Sequence, residues 1–94
     1  MKHYIIGKFK PDVMDKVALC SRIAALFAGA VQITGINGVE VFPNCIARDN
    51  RYDVMIVLDM EQDALAGWDD SALHRQWKND FGDLLEKKAI FDHE

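Results

Sequence analysis

The chain has little of what marks several large protein classes. Of its 94 residues two are cysteine and two are proline. Cys20 and Cys45 form neither a CxxC pair nor a zinc spacing; one disulfide is formally open to them, but reduced thiols are the simpler reading. There is no Gly-rich phosphate loop and no nucleophile elbow. Lysines and arginines are scattered in a chain of net charge −4, which leaves no basic patch for DNA or RNA and no polybasic run for an anionic membrane. The longest uncharged apolar run, from Ile23 to Ile33, is too short to span a bilayer. The opening Met1–Lys8 segment lacks the apolar stretch of a secretory leader. His3, His74 and His93 have no metal-ligand spacing. Together these absences predict a cytoplasmic chain with no nucleic-acid partner, no membrane partner, no cofactor and no metal.

What the chain does have is apolar material. Half of its residues are hydrophobic, at the upper end for a domain of this size. A chain this short makes one domain, residues 1–94, and buries roughly 60–65% of its unfolded surface. So much apolar surface on so short a chain hints at a second buried face, such as a subunit interface.

Residues 2–10 read as a strand, with His3, Ile5, Gly7 and Phe9 on one face and Tyr4, Ile6, Lys8 and Lys10 on the other. Pro11 closes it, and Asp12 is a candidate helix cap. Residues 13–33 carry apolar residues at three- and four-residue steps, including Val13, Val17, Cys20, Phe27 and Val31. That spacing predicts one long helix. A Gly35–Gly38 turn leads to a second strand over 39–46, broken near Pro43-Asn44, and a third over 52–60. Val54–Leu58 is apolar at every position, so both faces of the third strand should be covered. A short helix over 61–68, a second helical piece from Ala72 to Lys87 capped by Asp70 or Ser71, and a short strand over 89–92 complete the chain. His93 falls in a tail expected to be solvated.

The order β-α-β-β-α-β is the split arrangement of ferredoxin-like α+β domains, with a four-stranded antiparallel sheet and its helices on one face. The other sheet face would carry Tyr4, Ile6 and alternate residues of the third strand. Nothing in so short a chain is left to cover it, so a second copy stacked sheet on sheet is the expected cover, giving a homodimer.

The strand KHYIIGKFK with its His3, the Gly38-Val39-Glu40-Val41 strand with Asn44, Tyr52-Asp53, Ala64-Leu65, Trp68, His74 and the closing Ile90-Phe91-Asp92 lie in an order that covers nearly the whole chain. In this the chain resembles the stress-responsive dimeric α/β-barrel family, often called Dabb. The resemblance implies a stress-associated homodimer whose two sheets close into a barrel. It also implies a relation to a cofactor-free plant polyketide cyclase of that family, whose two catalytic histidines match His3 and His74. The tyrosine of that site is replaced by Trp68, whose indole N–H donates a hydrogen bond but does not accept one. The His-Pro pair usual before the second histidine reads Ser71-Ala72 here.

Read from the residues alone, His3 shares its strand face with Ile5 and Gly7, and His74 lies one helical turn from Trp77 and two from Phe81. If that strand face meets the helices, the two imidazoles share one apolar pocket. Gly7 would leave it room, and Trp68, Trp77 and Phe81 would wall it. Two imidazoles in such a cleft suit a general base and an orienting partner for aldol-type closure or proton abstraction on a small apolar or aromatic ligand. The plainer readings are half-buried structural histidines in a pocket that only holds a ligand, and a small monooxygenase-like domain by fold analogy alone.

Overall fold

The computed structural model covers residues 1–94. It holds four strands, β1 (Lys2–Phe9), β2 (Ile36–Pro43), β3 (Val54–Met60) and β4 (Leu85–His93), and three α-helices, α1 (Lys16–Phe27), α2 (Leu65–Asp69) and α3 (Ala72–Phe81). The sheet runs β2-β3-β1-β4 with every neighbouring pair antiparallel. This is the ferredoxin-like α+β fold expected from the element order. No helix is long and apolar enough to cross a membrane.

Alternation in β1 sets the two layers. His3, Ile5, Gly7 and Phe9 are buried, while Lys2, Tyr4, Ile6 and Lys8 are only partly so. The register carries this alternation across the sheet: Ile5 lies opposite Ile56 of β3 and Ile90 of β4. The inner face packs against α1, α2 and α3 in one cluster that includes Ile23, Phe27, Ile56, Leu58, Trp68, Trp77 and Phe81. Phe27 is its hub, with Trp68 and Trp77 rings 5.6 and 5.2 Å away. Such aromatic pairs add about 0.5–1.5 kcal/mol each beyond the area they bury.

Several boundaries differ from the sequence-based expectation. The 13–33 helix is shorter: α1 begins at Lys16, where Asp15 rather than Asp12 is the cap, accepting a hydrogen bond from the Ala18 amide at 3.0 Å, and it tightens into a 3-10 turn over Ala28–Gln32. Leu19, Cys20, Ile23, Phe27 and Ala30, all on the apolar stripe expected from the spacing, are buried, whereas Val17 and Val31 stand in solvent. β2 starts three residues early with an irregularity between Ile36 and Gly38, and it ends at Pro43, where the break was expected, without resuming over 44–46. α3 ends at Phe81, and β4 is correspondingly longer than residues 89–92, because every residue from Lys2 to Lys8 finds a partner on it. His93 therefore belongs to β4 and not to a solvated tail. Its ring stacks on Tyr4 at 5.4 Å, with Nε2 3.0 Å from the Tyr4 hydroxyl.

Gly35 has φ +86°, the left-handed region that L side chains rarely adopt, and a Cβ there would stand 2.7 Å from the Ala64 Cβ. Its carbonyl accepts the Glu61 amide at 2.8 Å, tying the start of β2 to the end of β3. Gly35→Ala is expected to lower the unfolding free energy by about 1–3 kcal/mol, read as a drop in urea midpoint at unchanged m-value.

Candidate functional site

His3 is the one buried polar side chain of the fold. It points into the helix-facing layer because β1 alternates, and the β1–β4 register sets Asp92 directly opposite it on the same face. His3 Nδ1 donates to Asp92 Oδ1. In the neutral ring this leaves the lone pair on Nε2. No enclosed side-chain nitrogen or oxygen lacks a hydrogen-bond partner, and Nε2 of His3 makes no hydrogen bond within the protein. That nitrogen is therefore open to the adjoining cavity and not sealed in the core.

His74 is positioned by the break between α2 and α3. Ser71 caps α3: its hydroxyl accepts the His74 amide at 3.1 Å and donates to the Trp68 carbonyl at 2.7 Å. The His74 ring meets the Trp68 indole edge-on, centroids 5.0 Å apart, and its Nδ1 donates to the Asp69 carbonyl at 3.0 Å. A carbonyl only accepts, so Nδ1 carries a proton, and in the neutral imidazole Nε2 is again the free acceptor.

Both rings line one cavity of about 230 Å³. Its apolar wall is Ile5, Leu65, Trp68, Trp77 and Ile90, and Asp69, Lys88 and Asp92 supply the remaining polar lining. The structure thus brings His3, His74, Ile5, Trp68 and Trp77 together. It does not bring Gly7 or Phe81 to them. The space over Gly7 is filled by Leu85 and Val54, whose methyl carbons would stand 3.2 and 3.4 Å from an added Cβ, so this glycine admits core packing and leaves no room for a ligand. Phe81 is buried beside Trp77, with the Arg22 guanidinium 5.4 Å over its ring.

Asp92, Asp69 and Lys88 were not among the site residues expected from the sequence, where Asp92 entered only as part of the closing Ile90-Phe91-Asp92 motif. The signal for Asp92 was present: a closing strand antiparallel to β1 sets its last residues against the first residues of the chain. Of the two thiols, Cys45 is exposed and Cys20 is buried. Burial first, and the nearby Asp53 carboxylate second, push the Cys20 thiol up from its ordinary pKa, so it is kept protonated and inert.

Fold and site together define a ferredoxin-like α+β protein with a small two-histidine cavity between sheet and helices. No protein-family model matches the sequence, and no curated protein matches it. Solved structures do match its fold. A dimeric protein of unknown function with a ferredoxin-like fold from Bacteroides fragilis aligns at a TM-score of 0.82 and 18% identity, over 99% of this chain and 93% of that one. A Dabb family protein from Mesorhizobium loti aligns at 0.65 and 15%, over 99% and 93%. A hydroxynitrile lyase from Passiflora edulis aligns at 0.75 and 11%, over 98% and 89%. The likeness to Dabb proteins read from the motifs thus extends to the three-dimensional fold.

Replacing Asp92 by Ala removes the partner of a buried imidazole nitrogen. A loss of about 1–3 kcal/mol in stability is expected, together with loss of the single His3 tautomer in side-chain 15N NMR spectra.

Proposed function

We propose that this protein is a homodimer whose protomer cavity carries out cofactor-independent proton transfer on a small, partly aromatic molecule. The observation that carries the reading is the pair of imidazoles on one cavity, each held through Nδ1 so that Nε2 is left for a ligand. His3 takes a proton from an acidified carbon, and the Asp92 carboxylate stabilises the imidazolium that forms. His74 accepts a hydrogen bond from a substrate hydroxyl and orients it. Trp68 fixes the His74 ring and walls the cavity. The proton returns from His3 Nε2 to the substrate, so no net redox change occurs. The Passiflora neighbour, a lyase by name, is compatible with such chemistry on this fold.

The dimer rests on the outer sheet face. Tyr4, Ile6, Phe42, Met55, Val57, Ala89 and Phe91 share it by register, and Phe42 and Phe91 stand 43% and 59% exposed. Lys2 and Asp59, paired at 3.1 Å, and Lys8 give it a charged rim. An apolar centre within a polar rim is the anatomy of a protein interface. A second copy stacked sheet on sheet would cover it, and the Bacteroides neighbour of the same fold is dimeric.

Two experiments test these readings. In D2O the protein is expected to exchange the methylene protons of α-hydroxyacetophenone, followed by 1H NMR, and His74→Ala is expected to abolish the exchange while remaining folded. An unchanged rate in that variant removes the mechanism; tight binding without exchange makes the cavity a holding site. Sedimentation at micromolar concentration is expected to give a dimer for the native chain and a monomer for Ile6→Glu, and a stable native monomer overturns the interface.

A further inference from the structure

The cavity is not isolated. It shares Trp77 and Lys88 with a second hollow of about 390 Å³ running along the junction of α3 with β4. By itself the inner cavity is smaller than the ~300–1,000 Å³ of ordinary ligand sites, and the two hollows together fall within that range. Their charge balance differs. The inner cavity sets the carboxylate residues Asp69 and Asp92 against Lys88 alone, at its border with the outer hollow, whereas the outer hollow is lined by Lys78, Lys87 and Lys88 against the single carboxylate of Glu86. None of these three lysines takes part in an ion pair; the lysines that do are Lys2, with Asp59, and Lys16, with Asp53. Unpaired cations collected on one hollow, in a chain of net charge −4, set up a local field of the wrong sign for the protein as a whole.

Edge-strand protection explains part of the pattern. β4 is an edge of the sheet, and lysines there deter pairing with another chain. That does not account for Lys78, which comes from α3, or for Trp77 and Lys88 lining this hollow and the two-histidine cavity alike.

We propose that the site takes an elongated ligand with an apolar, reacting end between His3 and His74 and an anionic end, carboxylate or phosphate, over Lys78 and Lys88. This rests on the proton-transfer reading for the inner cavity and adds to it the ligand class. The separation of charge orients the molecule: the carboxylates of the inner cavity repel its anion, and the lysines of the outer hollow attract it. Trp77 is the wall common to both ends. Lysine ammonium groups act as point charges without the planar fork of arginine, so the recognition is of charge, and it is tolerant of whether the oxyanion is planar or tetrahedral.

The test compares three probes of similar body, 3-phenylpropionate, 2-phenylethyl phosphate and the neutral 3-phenylpropanamide. Binding is followed by titration calorimetry and by the His3 and His74 side-chain NMR signals. At low salt the native protein is expected to hold the two anions about five- to tenfold more tightly than the amide, the size that two exposed charge contacts supply, and to lose most of that preference in 0.5 M salt. The double variant Lys78→Gln/Lys88→Gln is expected to bind all three equally, and Lys78→Arg/Lys88→Arg to restore the preference. A preference for only one anion identifies it as the ligand's group and supports the assignment. Equal binding of acid, phosphate and amide by the native protein, with the histidine signals still responding, overturns the anionic end and leaves the inner cavity standing. Binding that moves neither histidine signal overturns both.

Discussion

The antiparallel register between β1 and β4 is the constraint on which the rest of this molecule depends. It places Asp92 opposite His3 on the layer that meets the helices, and by the same two-residue period places Phe91 opposite Tyr4 on the outer face. A slip of one residue would send every side chain of β4 to the other face. The buried imidazole would then lose its carboxylate, and the outer apolar face would gain a charge. Register is held on the β1 side by Ile5 and Phe9, which belong to the packed cluster, and on the β4 side by the continuous ladder from Lys2–His93 to Lys8–Lys87.

The site combines rigid and local elements. His3 stands in the middle layer of the fold, where its ring is fixed by strand geometry and one carboxylate. His74 owes its place to a few consecutive residues: the Ser71 cap, the Trp68 indole and the Asp69 carbonyl all come from the α2–α3 break. Trp68 is buried against the His74 ring. Here it serves as a buried wall that fixes a neighbouring ring.

Use of the two sheet faces is divided. The inner face and the helices make the core and the cavity, so a protomer carries the whole proposed site. The outer face carries apolar area beyond what its own chain covers. Under that division, the proposed association and the proposed proton transfer are separable, the first resting on Ile6 and its neighbours and the second on His3, Asp92 and His74.

Local pattern and element order determined much by themselves. The alternation of β1, the split β-α-β-β-α-β order, the outer-face cover problem and the two histidines were legible because they depend on periods of two and of three to four residues and on little else. Helix and strand ends were less so. Val17 and Val31 satisfied a helical period but stand in solvent, Val17 in the first turn of α1 and Val31 in the 3-10 turn that follows it, where the helical period no longer holds. Only the tertiary structure decided that Leu85 fills the space over Gly7, that Asp92 belongs to His3, and that Lys78 and Lys88 meet at one hollow. Each of these joins residues far apart in the chain, and their meeting is fixed by strand register and helix packing, which no short stretch of sequence carries.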